Sequence, residues 1–131
     1  MAKILICEDD DLYRQIAEVA FADSGHQLWF AKNGDEALAL VKATPVDLII
    51  TDLVMPGKDG LEVIRAIRAA HNRMPILAMT AGLATLKEPL IVAASALGAD
   101  DVIEKPFRPQ ALRQRADALL AKAALSGESA A

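Results

Sequence analysis

Four acids in a row, Glu8, Asp9, Asp10 and Asp11, follow the apolar run KILIC (Lys3–Cys7). A lone carboxylate, Asp52, follows a second apolar run, DLIIT (Asp47–Thr51), and stands ahead of a Met-Pro pair and two glycines. Thr80 closes a third run, PILAMT, and Lys105, with Pro106 behind it, follows a fourth, DVIE. A charge at the end of a buried segment is costly unless something uses it. Clustered carboxylates are hard oxygen donors, suited to Mg²⁺ with retained waters. A carboxylate beside that cation can also be a nucleophile toward phosphorus, forming an aspartyl phosphate. A hydroxyl and an ammonium around the same point would bind phosphoryl oxygens whose charge grows during transfer. Singly, each of these residues is more often structural. As a set they make a phosphoryl-transfer site.

Such a set requires a scaffold that brings four distant parts of the chain to one edge. The runs KILIC, LWFA (Leu28–Ala31), DLIIT, PILAMT and DVIE have strand length, and several lack alternation, as expected when both faces of a parallel sheet are covered. Helical patterns lie between them. DLYRQIAEVAFADSG puts Leu12, Ile16, Val19 and Ala20 on one stripe, with Gly25 as a stop signal. GDEALALVKA offers Ala37, Leu38 and Val41. GLEVIRAIRAA offers Leu61, Ile64 and Ile67 against Glu62, Arg65 and Arg68, which are expected to face water. Pro89 suits the first turn of a fourth helix, and RPQALRQRADALLAKAAL is a fifth. Five strand–helix units predict an α/β fold: a doubly wound (βα)5 sandwich with a five-stranded parallel sheet. In such sheets sites form beyond the carboxyl ends of the strands, where these acids, Thr80 and Lys105 fall.

Composition narrows the function classes. At 131 residues the chain reads as one domain, residues 1–125, with 126–131 expected to be a disordered tail. Its formal charge of −4 lacks the electrostatic footprint of direct nucleic-acid binding. Its one cysteine, Cys7, excludes an internal disulfide and reads as an inert buried thiol. No apolar stretch is long enough to span a membrane and no signal peptide is visible, so a cytoplasmic location is expected. Only acids follow the first strand, without the glycine-rich loop of a nucleotide-binding domain.

Taken together, ILICEDD, DLIITDLVMPGKDGLEVIRAIR, PILAMTA and GADDVIEKPF, in that order, resemble the receiver domains of two-component response regulators, over Lys3 to about Leu120. The resemblance implies a flavodoxin-like fold, and with no second domain legible after Leu125 a stand-alone receiver is expected. It implies Asp52 as phosphoacceptor, Thr80 and Lys105 as the groups that bind the phosphoryl oxygens, and Mg²⁺ as cofactor. Asp9 and Asp52 would be direct metal ligands, Glu8 a ligand through water, and Val54 a ligand through its backbone carbonyl. It further implies a cis peptide between Lys105 and Pro106. The implied partners are a histidine kinase or histidine phosphotransfer protein as donor and a target protein on the face made by helix 4, strand 5 and helix 5. The alternative of another class is a Mg²⁺-dependent phosphohydrolase with an aspartyl nucleophile. Val54 weighs against it, standing where a second aspartate would be required.

Three departures from the pattern bear on switching. Val102 occupies the place of a switch aromatic, leaving Thr80 and Val102 itself as switch residues. The segment TAGLATLKEPLIVAASALGAD is longer than usual, with the surplus expected in the loop before Pro89. PLIVAASAL is apolar nearly all round and could present a docking face. Near the acceptor, Val54 and Gly82 cannot hold an attacking water, which implies a long-lived phosphoaspartate. Gly57 and Gly60 are expected to supply positive φ in the turn after Asp52. Either Asp10 or Asp11 is expected to cap the first helix.

Overall fold

The computed structural model describes residues 1–55, 57–81 and 84–126, leaving out the side chains of residues 84–87. Strands and helices alternate: β1 (Lys3–Cys7), α1 (Asp11–Ala20), β2 (Gln27–Ala31), α2 (Gly34–Ala43), β3 (Leu48–Asp52), α3 (Gly60–Ala69), β4 (Ile76–Thr80), α4 (Ala84–Leu97), β5 (Asp101–Glu104) and α5 (Pro109–Ser126). All pairings are parallel, in the order β2-β1-β3-β4-β5. This is the expected doubly wound sandwich.

Pleating divides each strand between two cores. Leu5, Cys7, Ile49, Ile76 and Ala78 face Ala37 of α2, Val63, Ile64 and Ile67 of α3, and Ala94 of α4. Ile4, Ile6, Leu48, Ile50, Leu77, Met79 and Ile103 face α1 and α5. Trp29 and Phe30 fall on opposite sides, as adjacent strand residues must. Asp10 caps α1 by accepting from the Leu12 N–H, and Asn33 and Asp59 cap α2 and α3 in the same way.

Several expectations need correction. Leu12 and Val19 are exposed, at 58% and 65%. The inward stripe of α1 is instead Tyr13, Ile16, Ala17 and Ala20, continuing to Phe21, the i, i+3, i+4, i+7 pattern rotated by one residue. The small alanines let α1 sit close to the sheet and carry little hydrophobic signal of their own. The helix ends with Phe21 as C-cap, and Gly25 lies beyond it in the following turn at φ +77°. Pro89 is inside α4, and the residues before it from Ala84 are helical, so the surplus extends the helix rather than the loop.

Arg68 does not face water. Its Nε and Nη2 donate to the Gly98 carbonyl at 3.1 and 2.9 Å, and its Nη1 donates to the Asn72 and Met74 carbonyls, each at 2.8 Å. Nη2 also meets Asp100 Oδ2 at 3.0 Å, and that oxygen accepts from the Ile76 N–H. One guanidinium thus ties the end of α3 to the end of α4 and to the entries of β4 and β5, a task its fixed fork of donors suits.

Candidate phosphoryl-transfer site

The carboxyl ends of β1, β3, β4 and β5 bring the singled-out residues to one rim. One oxygen each from Glu8, Asp9 and Asp52 lies within 4.8 Å of the others. Glu8 is fully buried, Asp52 nearly so and Asp9 exposed, so the group opens to solvent on one side. Asp52 ends β3 in register with Met79, and the Leu53 N–H donates to the Met79 carbonyl at 2.9 Å, which anchors the strand end.

Lys105 crosses from the end of β5 to both buried acids. Its Nζ lies 2.5 Å from Glu8 Oε1 and 3.1 Å from Asp52 Oδ2, with the side chain only 5% exposed. The Lys105–Pro106 peptide is cis, and the Lys105 N–H donates to the Thr80 carbonyl at 2.7 Å. Burial pushes the Glu8 carboxyl above the ordinary carboxylate range, and the nearby Asp52 charge adds to the shift against the pull of Lys105. Burial alone would lower the Lys105 ammonium, but the Glu8 hydrogen bond and the two carboxylates outweigh it and hold the group protonated.

Thr80 pairs with Glu104 at the end of β4, and its buried Oγ1 has no hydrogen-bond partner among the described residues. A buried hydroxyl left unmatched is an exception that calls for an acceptor. Val54 is exposed at 61%, and its N–H donates to Asp52 Oδ1 at 3.3 Å. Gly82 and Pro56 lie outside the described residues. Val102 is half-buried in the middle of β5, opposite Ala78 and against the core, away from the rim that holds the acids. Cys7 is buried beside Met55, Sγ to Sδ 3.5 Å, and burial pushes its thiol up to about 12, so no thiolate is available at neutral pH.

The two glycines of the following turn act differently. Gly57 has φ +74°, as expected. Gly60 does not have positive φ. A Cβ there would lie 2.1 Å from the Asp52 carbonyl oxygen, so its role is to let α3 start against the end of β3.

One residue at this rim carries no signal in the acid pattern. The Tyr13 ring of α1 has Lys105 Nζ 4.1 Å from its centroid, and Phe107 packs on that ring at 5.4 Å. The available sign was a lone tyrosine in the first turn after the acids.

The family model for the response regulator receiver domain matches residues 4–117. The chain belongs to that family. Among curated relatives, the receiver domain is 36% identical to response regulator MprA of Mycolicibacterium vanbaalenii, over 98% of this chain and 56% of the relative. It is 35% identical to the transcriptional regulatory protein AfsQ1 of Streptomyces coelicolor, over 92% of this chain and 52% of the relative. The chain therefore spans about half the length of these relatives. Among solved structures, the receiver domain of NtrX from Brucella abortus superposes with a TM-score of 0.80 at 29% identity, covering 90% of this chain and 98% of that one. Receiver domains are signalling modules of two-component response regulators, and the match lends no support to a phosphohydrolase. No helix among the described residues is long and apolar enough to cross a membrane.

Proposed function

We propose that this receiver accepts a phosphoryl group on Asp52 from the phosphoimidazole of a histidine kinase or histidine phosphotransfer protein. The observation that carries the reading is the meeting of Glu8, Asp9 and Asp52 within 4.8 Å, with Lys105 Nζ on two of them. The donor set fits Mg²⁺: oxygens only, two of the three acids buried, and an open side for water. Asp9 and Asp52 would hold the ion directly, Glu8 through water and Val54 through its backbone carbonyl. When bound, Mg²⁺ supplies positive charge against the equatorial phosphoryl oxygens.

An Asp52 carboxylate oxygen attacks phosphorus in line. The new O–P bond forms as the P–N bond breaks, and the electron pair leaves with the imidazole, which takes up a proton. Lys105 then exchanges part of its contact with Glu8 and Asp52 for a phosphoryl oxygen, and the Thr80 hydroxyl donates to another. These residues supply position and charge, which is what a loose phosphoryl-transfer transition state needs. The product biases a protein-binding surface on α4, β5 and α5, or the group moves on along a phosphorelay. Thr80 and Val102 are the switch residues. Val102 has no ring to rotate, and Val92 of α4, 64% exposed, offers apolar surface on that face. The charge of −4 favours a protein target over direct contact with nucleic acid, and the receiver is expected to act in the cytoplasm without turning over a separate substrate.

Incubation with acetyl phosphate and Mg²⁺, followed by intact mass and peptide mapping, tests the reading. Modification at Asp52 that disappears in Asp52→Asn is expected; an unmodified Asp52 in a folded sample overturns it. Hydrolysis should be slow, because the exposed Val54 side chain cannot hold a water. Val54→Asn is expected to speed loss of the phosphoryl group at least about tenfold by supplying a positioning hydrogen bond. An unchanged decay, followed by mass, would refute that argument.

A further inference from the structure

We infer that Tyr13 is a positioning residue for Lys105: its ring closes the third side of the ammonium and aims it at Asp52. The inference rests on the proposed transfer to Asp52. Lys105 reaches the site on a long flexible stem, and an ammonium on such a stem needs restraint if it is to meet the transferred group without reorganising. An ammonium has three donors. Two are directed at Glu8 Oε1 and Asp52 Oδ2, and the remaining side lies over the Tyr13 ring, 4.1 Å from the centroid. A ring face carries negative potential and attracts a cation most strongly where water is excluded, and the Lys105 side chain is 5% exposed.

The ring is itself held by a second aromatic residue. Phe107 lies 5.4 Å away at an interplanar angle of 58° and packs into the core between sheet, α1 and α5. Phe107 stands two residues beyond Lys105, so the connection that delivers the ammonium also braces the ring that confines it. Tyr13 belongs to α1, whose start is fixed by the Asp10 cap directly after the acids. Acids, ring and lysine therefore share one mechanical frame. The face of the ring carries the interaction, so phenylalanine should serve at position 13 and an aliphatic residue of similar size should not.

Tyr13→Phe and Tyr13→Leu separate these roles, and Tyr13 is the only tyrosine of the chain, which gives it an unshared signal. With acetyl phosphate and Mg²⁺, Tyr13→Leu is expected to lower the limiting phosphorylation rate about tenfold, a fraction of what deleting a charge-stabilising donor does, with the half-saturating donor concentration little changed. Tyr13→Phe should stay near the native rate. By NMR, the Lys105 ε-methylene protons should show an upfield ring-current shift in the native protein and Tyr13→Phe. In the native protein the Tyr13 ring resonances should move on addition of beryllofluoride with Mg²⁺. Native-like kinetics in folded Tyr13→Leu, a Tyr13→Phe variant as slow as Tyr13→Leu, or Lys105 protons without the ring-current shift in the native protein would each overturn the inference. If Tyr13→Leu does not fold, the native and Tyr13→Phe measurements still decide it. A native protein that takes up no phosphoryl group defeats the proposed function, whereas the ring-current shift tests the Tyr13 contact independently of transfer.

Discussion

Lys105→Ala is expected to lose about 3–5 kcal/mol of folding stability at neutral pH without Mg²⁺, the range for leaving buried charge uncompensated. Glu8 is fully buried and Asp52 7% exposed, and both carboxylates depend on this one ammonium. The loss should depend on pH. Burial and the neighbouring Asp52 already raise the Glu8 carboxyl against the pull of Lys105, and removing the lysine raises it further. A carboxyl with a raised folded-state value binds its proton at higher pH in the folded than in the unfolded chain. Its stabilising contribution is therefore complete below the ordinary glutamate value and is lost as pH rises through the folded value. Denaturation of variant and native protein at pH 5 and pH 7 should show the gap narrowing on the acidic side, and millimolar Mg²⁺ should narrow it at pH 7. A gap that is equal at both pH values would show that Glu8 and Asp52 do not rely on Lys105.

Gly60→Ala should be nearly as damaging, for a steric reason. The added Cβ would lie 2.1 Å from the Asp52 carbonyl oxygen, 2.8 Å from Leu53 Cα and 2.9 Å from the Asp52 carbonyl carbon. All three are backbone atoms, so no rotamer change relieves the contact, and either β3 or α3 must move. A loss of about 3 kcal/mol or more is expected, at or above the upper end of ordinary overpacking. Because the displaced segment carries Asp52, phosphorylation should slow in the same variant. Gly57→Ala is the control: none of the described residues has an atom within 4 Å of its added Cβ, and only the strain of φ +74° remains, about 1 kcal/mol. If thermal unfolding finds the two variants equally mild, the close approach of α3 to β3 is not rigid.

The contrast between those glycines shows where the sequence was readable. A glycine after a site acid signals that a side chain is excluded. Whether the reason is a positive φ or a neighbouring backbone depends on how two elements dock, and no local pattern carries that. Strands and site acids were legible because their pattern is local: continuous apolar runs, each followed by a residue with distinctive chemistry. The parallel topology then forces those residues onto one rim. What escaped depends on tertiary contact. The true inward face of α1 is built on alanines, whose small size matters only against a neighbour. Arg68 looks like a solvated helix residue until three carbonyls from two connections surround it. Pro89 reads as a helix start because propensity outweighs context in a single sequence, whereas α4 begins at Ala84. Tyr13 has no motif at all, and its place over Lys105 exists only once α1 packs against α5 and the lysine side chain reaches across the rim to the ring.

The grip of Arg68 has a mechanical corollary. It pins the trailing end of α4 to the rim opposite the acids, and Gly98 packs so tightly there that a Cβ would lie 2.8 Å from Arg68 Cγ. A rod clamped at its tail can swing only at its head, and the head of α4 is the end nearest Thr80. A displacement started at the acid rim is therefore expected to be largest in the first turns of α4 and to fade toward Gly98.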